Sequence, residues 1–333
     1  MYQLREVSFN TSAEWDSAIA RFDIKHLYHI GAWLDFIEDT QPVTKKIYAI
    51  YDSEAIVGYL PGFILKKGPM RIFGSPFPGW TTDYLGPVLQ QGVDMETLLT
   101  AIVSAFKRDH IYHAELCHNA PAWASASHAQ FEHNSRVTFV APIIADPEEM
   151  LSGFSKTVRK TIKQSLRPEI QIVSSKDPSF IDVYYDQLRE VFEKSGIEPT
   201  YSKDRVRALW THLMPTGRML NTMVLMDNQC IATRIDFFGD DSMHSFGSAS
   251  YRDYLKYHPN EIARYHAMCE AAKRGLKHFD MSGGGEYKIK FNAERVEARV
   301  LIMSSPPFMV ARQMMKAWHH CRNRMRYLLS KSK

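Results

Sequence analysis

Two stretches of this chain predict the same order of structural elements, and this duplication limits the possible folds more than any other feature. In each half, the periodicity of apolar residues predicts two helices, three consecutive strands, an amphipathic helix and one further strand. The first half has predicted helices at 13–21, 32–38 and 95–108 and predicted strands at 46–51, 55–65, 70–74 and 111–117. The second half has predicted helices at 180–195, 204–213 and 260–274 and predicted strands at 219–226, 230–238, 243–248 and 277–281. Identity between the halves is poor, so we predict an α+β protein with two domains of one type and a cleft where they meet.

Chain length and local sequence place the boundaries of these domains. A chain of 333 residues suits two domains of roughly 150 residues each. Asp146 is a good N-cap and Pro147 fits the first position of a helix, so a new helix is predicted to begin there. We therefore predict an N-terminal domain at 1–145, a basic connector helix at 146–168, a C-terminal domain at 169–305 and a basic amphipathic helix at 306–333, with a mixed central sheet in each domain.

Charge and cysteine content exclude several classes of protein. The net charge of +4 is too small by itself to indicate nucleic-acid binding. The four cysteines lie far apart without CxxC or Cys/His metal spacing, which favours reduced thiols, no metal site and a cytosolic protein. No apolar run approaches the about 20 residues that cross a bilayer, and the start of the sequence alternates like a strand and not like a signal peptide.

The last part of the sequence is basic, because no acidic residue follows Glu297. Apolar residues recur there near helical spacing, with basic residues among them. Such a helix could lie on an anionic membrane surface or on a phosphate-rich ligand. It could equally pack its apolar stripe on the second domain. The first interpretation would place the protein at the inner face of the membrane, in contact with anionic lipid through 310–333.

The predicted connector helix carries a basic stripe. Its basic residues recur three or four positions apart and are Lys156, Arg159, Lys160, Lys163 and Arg167. The stripe is either a solvated surface or a phosphate-facing wall of the cleft, because like charges four residues apart repel unless an anion offsets them.

Two loops are rich in turn-forming residues. The loop at 74–87 is long and aromatic, so it is either a lid with Trp80, Asp83 and Tyr84 facing a substrate or a proline-stiffened crossover that closes the first domain. The loop at 282–291 begins with three glycines after a strand that ends near Asp280. Consecutive glycines permit close approach of a ligand to the backbone. Neither loop contains a nucleotide-binding motif.

The predicted helix that begins near Pro259 is a candidate anion site. Free N–H groups at a helix start and the helix dipole both favour negative charge. Strand, helix start, helix and strand in this order are typical of the ligand-holding core of an acyl-CoA-dependent N-acyltransferase.

Three passages carry a resemblance to a known family. Residues 154–162 look like a Ser-Lys-x-x-Arg helix, and His258-Pro259-Asn260-Glu261 opens the ligand helix. The most specific passage is 275–291, which resembles a closing Gly-x-x-x-Phe-Asp-x-x-Gly followed by Tyr-x-x-Lys. The second half thus resembles the GNAT acyltransferase fold, and the whole chain resembles its Fem-type branch, whose members contain two such domains. The usual pyrophosphate signature Arg/Gln-x-x-Gly-x-Gly/Ala is missing before the helix, as it commonly is in Fem-type proteins.

The resemblance implies attack of an amine on an activated acyl group, which is either a thioester or an aminoacyl ester. An alkyl amine has a pKa of about 10.4 and needs a base, and the tetrahedral oxyanion needs hydrogen-bond donors. Asp280 is the leading acid, although it could instead cap the glycine loop. Lys290 matches the loop lysine of the family, which by resemblance stabilises developing negative charge, and a surface lysine is the alternative. Asp236 and His244 are further candidate bases, unless each is paired structurally.

The resemblance also implies where two substrates would lie. Acyl-CoA, with acetyl-CoA first, would contact Ser248, Pro259, Asn260, Glu261, Gly283 and Gly284. A small-molecule or lipid-linked sugar acceptor would contact Lys156, Arg159, Trp80, Asp83, Tyr84, Tyr201 and Tyr287.

Three functions follow as hypotheses. The first is an N-acyltransferase that uses acyl-CoA on an amine of a sugar or of a cell-surface polysaccharide precursor. The second is an aminoacyl-tRNA-dependent, peptidoglycan-type transferase, which is less favoured because no inserted coiled-coil arm is visible. The third is a non-catalytic binding protein with the same fold.

Overall fold

The computed structural model of this protein describes residues 1–193 and 196–310. Within these ranges, thirteen strands form one continuous mixed sheet. The strands are β1 (Tyr2–Val7), β2 (Thr44–Asp52), β3 (Ala55–Lys67), β4 (Met70–Ser75), β5 (Val88–Leu89), β6 (Ile111–His118), β7 (Glu132–Pro142), β8 (Ile170–Ser174), β9 (Met219–Met226), β10 (Gln229–Phe238), β11 (Ser242–Ser250), β12 (His278–Asp280) and β13 (Glu294–Ser304).

Helices cover both faces of this sheet. The α-helices are α1 (Ser12–Ile19), α2 (Gly31–Thr40), α3 (Met95–Arg108), α4 (Pro121–Ala124), α5 (Pro147–Ser152), α6 (Lys156–Ser165), α7 (Phe180–Glu193), α8 (Lys203–Leu213) and α9 (Pro259–Lys273). Short 3₁₀ helices lie at Leu27–His29, Met214–Thr216, Arg252–Tyr257 and Glu286–Phe291. Among the described residues, no helix is both long and apolar enough to span a membrane.

The order of elements confirms the predicted duplication. In the first half, α1 and α2 precede β2, β3 and β4, and α3 and β6 follow; in the second half, α7 and α8 precede β9, β10 and β11, and α9 and β12 follow. The predicted α+β fold is therefore confirmed. The mixed sheets of the two halves are continuous, because β7 pairs with β12 and joins them into one sheet.

One face of the sheet carries an apolar core that both halves share. Successive side chains of a strand point to opposite faces. In β10, Phe237 therefore packs toward α2, α7 and α8, whereas the next residue, Phe238, packs toward α9. The ring of Trp33 from α2 lies 5.1 Å from the ring of Phe237, centroid to centroid. Burial of such large aromatic surfaces across the junction holds the halves in one relative position.

The strand β13 lies between two strands of the first half. It pairs antiparallel with β6 on one side and with β7 on the other. In the β7 pairing, Glu294 lies opposite Val140, so the end of β7 and the start of β13 are neighbours. The second half is thus an insertion into a β7–β13 hairpin. The range 169–305 includes this strand, and the domain boundaries that the sequence predicts stay a prediction.

The strands β11 and β12 separate after a short contact. Their parallel pairing covers only residues 242–244 of β11 and 278–280 of β12. Beyond it, β11 continues to Ser250 while the chain leaves β12 in the glycine loop. The two strand ends therefore border a wedge. The side chains of residues 245–248 are only half-buried there, so the edge of β11 in the wedge can receive a ligand.

The predicted connector helix at 146–168 is two helices. The prediction of one continuous helix was wrong because Gly153 is the C-cap of α5 and Ser155 is the N-cap of α6, where its hydroxyl accepts the N–H of Val158. The predicted helix at 306–333, with its membrane contact through 310–333, lies outside the described residues beyond residue 310.

Leu301 of β13 tests whether this strand completes the core of the first half. Its side chain is fully buried together with residues of β2, β3 and α3. We expect Leu301→Ala to lower the free energy of unfolding by about 3 kcal/mol, because it leaves a cavity in a packed core. Urea denaturation measures this change. The control is Val296→Ala on the same strand, which is 38% exposed and should change stability much less; equal small losses for both variants would contradict the packing described.

Candidate active site

Asp280 lies where β11 and β12 separate, and its carboxylate is buried. It accepts a hydrogen bond of 2.8 Å from the hydroxyl of Tyr84 and one of 2.8 Å from the main-chain N–H of Ser282. The hydroxyl of Thr138 donates a third. The three donors come from the glycine loop, from β7 and from the loop at 74–87. Because Tyr84 belongs to the first half, the junction of the halves builds this site.

Asp83 lies beside Asp280 and comes from the loop at 74–87. Its carboxylate accepts hydrogen bonds of 3.1 Å from the hydroxyls of Tyr28 and Ser282. Ser282 therefore bridges the pair, with its hydroxyl on Asp83 and its N–H on Asp280. Burial raises the pKa of Asp83, and the negative charge of Asp280 raises it further. Such a carboxylate takes up a proton more readily than an exposed one.

His244 approaches the same pair from β11. Its Nδ1 lies 3.9 Å from a carboxylate oxygen of Asp280 and has no hydrogen-bond partner among the described residues. Its Nε2 lies 3.1 Å from the hydroxyl of Ser242, and the ring of Tyr28 packs edge-on at 5.2 Å. The structure thus brings together His244, Asp280, Asp83 and Tyr84 of the predicted site residues.

Lys288 takes the buried position in the loop at 282–291. Its Nζ donates to the carbonyl oxygens of residues 281, 282 and 283 at 2.8, 2.6 and 2.8 Å. Burial, followed by the charge of Arg264, lowers the pKa of Lys288 to about 8. Lys290, the lysine that the sequence indicated, is exposed, and its catalytic role stays a prediction.

A signal for Lys288 was present in the sequence. Residues 286–291 form a 3₁₀ helix, in which residues three apart lie on the same face. Lys288 therefore shares the face of the buried Phe291, whereas Lys290 does not. Because the segment is predicted to be a loop, this three-residue spacing is not part of the expectation.

The glycine loop is open toward solvent. Gly285 has a φ of 132°, a conformation that side chains rarely adopt. A Cβ placed on Gly283 or on Gly284 would meet no atom within 4 Å. These two predicted cofactor-binding residues thus border free space beside Asp280.

Asp236, a second candidate base, is fully buried in an ion pair. Both of its oxygens accept hydrogen bonds from Arg234, at 2.7 and 2.6 Å. Arg234 also donates to the hydroxyl of Ser245 at 2.9 Å. With both oxygens occupied, Asp236 has a structural partner and lies apart from the Asp83–Asp280 pair.

The loop at 74–87 both closes a core and contributes residues to the candidate site. The ring of Trp80 packs on that of Phe77, with 4.8 Å between the centroids. The carbonyl oxygen of Trp80 accepts a hydrogen bond of 2.9 Å from Arg205 of α8. The loop therefore closes a core and contacts the second half. The same loop carries Asp83 and Tyr84 into the junction.

The start of α9 is polar and contains both signs of charge. Asn260 donates to the hydroxyl of Ser250 at 2.9 Å, and Glu261 lies 3.9 Å from His258. Pro259 is the first residue of the helix. A cavity of about 380 Å³ adjoins it and is lined by Glu190, Val191, Ser250, Arg252, Leu255 and Asn260. Glu190 and Glu261 repel a phosphate at this helix start, whereas Arg252 attracts it.

The other predicted contacts are dispersed. Ser248 is half-buried on the edge of β11. The hydroxyls of Tyr201 and Tyr184 lie 2.5 Å apart. Tyr287 is 50% exposed beside the glycine loop.

The two basic residues predicted at an acceptor phosphate differ in their surroundings. Lys156 is exposed at the start of α6. Arg159 donates to the carbonyl oxygens of Ser152 and Phe154 and so holds the end of α5. Within the described part of the chain, neither Lys156 nor Arg159 hydrogen-bonds Asp83 or Asp280.

Three histidines behind Tyr84 form a cluster that the sequence analysis missed. Ligand atoms of His26, His29 and His118 lie within 4.8 Å of one another. Burial lowers the pKa of His29 to about 4 and that of His118 to about 3, so both rings are neutral at physiological pH. Each accepts a main-chain N–H on Nδ1, at 3.0 and 2.9 Å, which leaves the proton on Nε2. A metal would need those Nε2 lone pairs, so the arrangement suits hydrogen bonding better than ligation.

Comparisons with known proteins show which protein family and which solved structures this chain resembles. Residues 152–290 match the family described as acetyltransferase (GNAT) domain. Over these residues the chain is similar to a GNAT acetyltransferase domain. No curated protein matches the sequence.

Solved structures extend the likeness to the whole chain. The crystal structure of FemX is similar with a TM-score of 0.73 at 13% identity, covering 91% of this chain and 98% of that one. A tandem GNAT protein from the clavulanic acid biosynthesis pathway gives a TM-score of 0.53 at 9% identity, covering 91% and 98%. L-PGS from Bacillus licheniformis gives 0.53 at 9% identity, covering 88% and 92%. The predicted resemblance to GNAT-fold proteins of the Fem type is confirmed, and at these identities the likeness concerns the fold.

Asp83→Asn tests the raised pKa of Asp83. The unfolded chain releases this proton near the ordinary pKa of about 3.9, whereas the folded chain releases it at higher pH. Stability therefore falls as pH rises through that window, and the loss persists above it. We expect Asp83→Asn, whose amide oxygen accepts one hydroxyl and whose NH2 donates to the other, to raise Tm at pH 7.5 by about 2 °C, with the difference fading at pH 4.

Scanning calorimetry between pH 4 and 8 makes the measurement. The control is Asp253→Asn, which changes an exposed carboxylate of a 3₁₀ helix. A Tm of Asp83→Asn below the wild-type value across the whole range would contradict the pKa shift.

Proposed function

We propose that this protein transfers an acyl group from acyl-CoA to an amine of a sugar or of a cell-surface polysaccharide precursor. The reaction takes place in the wedge between β11 and β12. The observation that carries the proposal is the pair of the half-buried Asp83 and the buried Asp280, which the two halves of the chain contribute at the mouth of this wedge. Buried acid pairs cost stability and are typical of sites that move protons.

Asp83 is the proton acceptor in this proposal. Its pKa is raised by burial and by Asp280, while Asp280 accepts hydrogen bonds from three donors. As the nitrogen–carbon bond forms, the amine gives its proton to Asp83. Collapse of the tetrahedral intermediate then breaks the carbon–sulfur bond, and CoA leaves as the thiolate.

Lys288 acts on the oxyanion indirectly. An ammonium group has three donors, and all three of Lys288 are used by carbonyl oxygens of residues 281–283. Its side chain therefore holds the glycine loop in shape and places a positive charge beside it. The main-chain N–H groups of Gly283 and Gly284, which border open space, are candidate donors to the oxyanion.

The acyl donor fits the free edge of β11. Main-chain groups of residues 245–248, beyond the β12 pairing, can hydrogen-bond an extended thioester arm. The cavity of about 380 Å³ at the start of α9 would receive the rest of the donor near Ser248, Pro259 and Asn260.

One observation favours a second candidate, transfer from an aminoacyl ester. Glu190 lines that cavity and Glu261 lies in the first turn of α9. Both carboxylates repel the pyrophosphate of CoA. An aminoacyl donor that enters the wedge from another direction would not meet them.

The surface beside the glycine loop suits a lipid-linked acceptor. Tyr287 and Ile289 are 50% and 55% exposed. The carbonyl oxygen of Lys290 accepts the N–H of Ser155 at 2.8 Å, so the exposed Lys156 lies next to them. Apolar and basic groups together favour an anionic membrane surface, and we place the protein in the cytoplasm at the inner face of the membrane.

Variants of Asp83 and of the two loop lysines test the mechanism. Asp83→Asn should lower kcat by about 10²–10⁴-fold because the base is lost. Lys288→Met should lower it by about 10²-fold because the oxyanion site loses its shape. Initial rates of acyl transfer to glucosamine measure the effect, with Lys176→Met on the surface as the control. A loss with Lys290→Met and none with Lys288→Met would reverse the assignment of the lysines.

The donor is identified by supplying one donor at a time. Acetyl-CoA with glucosamine should release free CoA, detected by its thiol, and mass spectrometry should find the acylated amine. Charged tRNA with the same acceptor should give no product. Product from charged tRNA alone would favour the aminoacyl candidate, and no product from either, with native Tm, would favour a binding protein.

A further inference from the structure

Arg264 is a buried cation beside the loop at 282–291. Its side chain projects from α9 and the residue is 7% exposed. Its Cζ lies 4.5 Å from the ring centroid of Phe291 and 5.3 Å from that of Tyr287. The guanidinium donates to the hydroxyl of Tyr287 at 3.3 Å, and its Nε has no hydrogen-bond partner among the described residues.

No described carboxylate oxygen lies within 4.0 Å of this guanidinium. The nearby Asp236 gives both oxygens to Arg234. Asp83 and Asp280 are occupied by hydroxyls and a main-chain N–H. Charged side chains are almost never buried without a partner, because loss of hydration costs several kcal/mol.

We propose that Arg264 binds an anionic oxygen group, a carboxylate or a phosphate, of a ligand in the wedge. The inference rests on the proposed function, since the ligand is then the acyl donor or the acceptor. A guanidinium offers a planar fork that matches both anions. Here Phe291 and Tyr287 fix the plane of that fork, and the neutral hydroxyl of Tyr287 occupies the place of a stronger acceptor.

The route to Arg264 passes the glycine loop. Tyr287 is half exposed and covers the guanidinium from the solvent side. Gly283 and Gly284 leave free space next to it. A rotation of the Tyr287 side chain would therefore open the fork without disturbing the buried ion pair of Arg234 and Asp236.

Inorganic pyrophosphate and succinate serve as probes of the two anion types. Calorimetric titration and thermal shift are measured at constant ionic strength on the wild type, Arg264→Met and Arg264→Lys. The matched control is Arg274→Met, which removes an exposed arginine that also lies on an aromatic ring, 3.7 Å from the centroid of Phe238. We expect the wild type and Arg274→Met to bind at least one probe. Arg264→Met should bind it at least tenfold more weakly, and Arg264→Lys should show an intermediate loss.

The stability of the variant without a probe separates binding from packing. Removal of an unpaired buried charge should leave the Tm of Arg264→Met equal to or above that of the wild type. A lower Tm would mean that the arginine serves the fold through its aromatic contacts, and it would overturn the inference. Equal affinities of wild type and Arg264→Met, or no binding of either probe by the wild type, would overturn it as well.

The same data distinguish this inference from the proposed function. Binding is measured without turnover. If Asp83→Asn loses its rate as expected but neither probe binds at Arg264, only the role of Arg264 is rejected. A shift with pyrophosphate alone would assign a phosphate, and a shift with succinate alone would assign a carboxylate.

Discussion

The hydrogen bond from Tyr84 to Asp280 joins the two halves of the chain at the point where the chemistry is placed. Asp280 ends β12, and Tyr84 comes from the loop at 74–87 in the opposite half. A buried carboxylate needs several donors to remain ionised. Among the described residues, the second half contributes the N–H of Ser282 and the first half contributes Tyr84 and Thr138, so the site depends on the apolar core that holds the halves together.

Besides His244 and the tyrosines, six cationic or acidic side chains of the described residues lie around the wedge. Three are cations, Arg234, Arg264 and Lys288, and three are carboxylates, Asp83, Asp236 and Asp280. Only Arg234 and Asp236 form a direct ion pair. The others are held by hydroxyls, carbonyl oxygens and aromatic rings, which are weaker partners. Incomplete pairing in a low dielectric is costly for folding and useful for a site that receives charged or ionisable substrates.

Sequence reasoning predicted the parts of the fold that depend on local patterns. The duplicated order of elements followed from hydrophobic periods, and Asp280 at the end of a strand followed from the position of the glycines. The connection of the halves into one sheet did not follow, because the pairing of β13 with β6 and β7 joins residues far apart in the chain. The buried position of Lys288 follows from the three-residue spacing of a 3₁₀ helix, and a segment predicted to be a loop gives no such spacing. The cluster of His26, His29 and His118 has no informative spacing, since only the folded chain brings His118 to the other two.

The position of β13 has a consequence for the order of folding. Until residues 294–304 leave the ribosome, β6 and β7 lack the strand that separates them, and Leu116 and Phe131 lack their neighbour Leu301. Domains are generally expected to fold in the order of their synthesis. This chain instead delays completion of its first core until the second half has been translated.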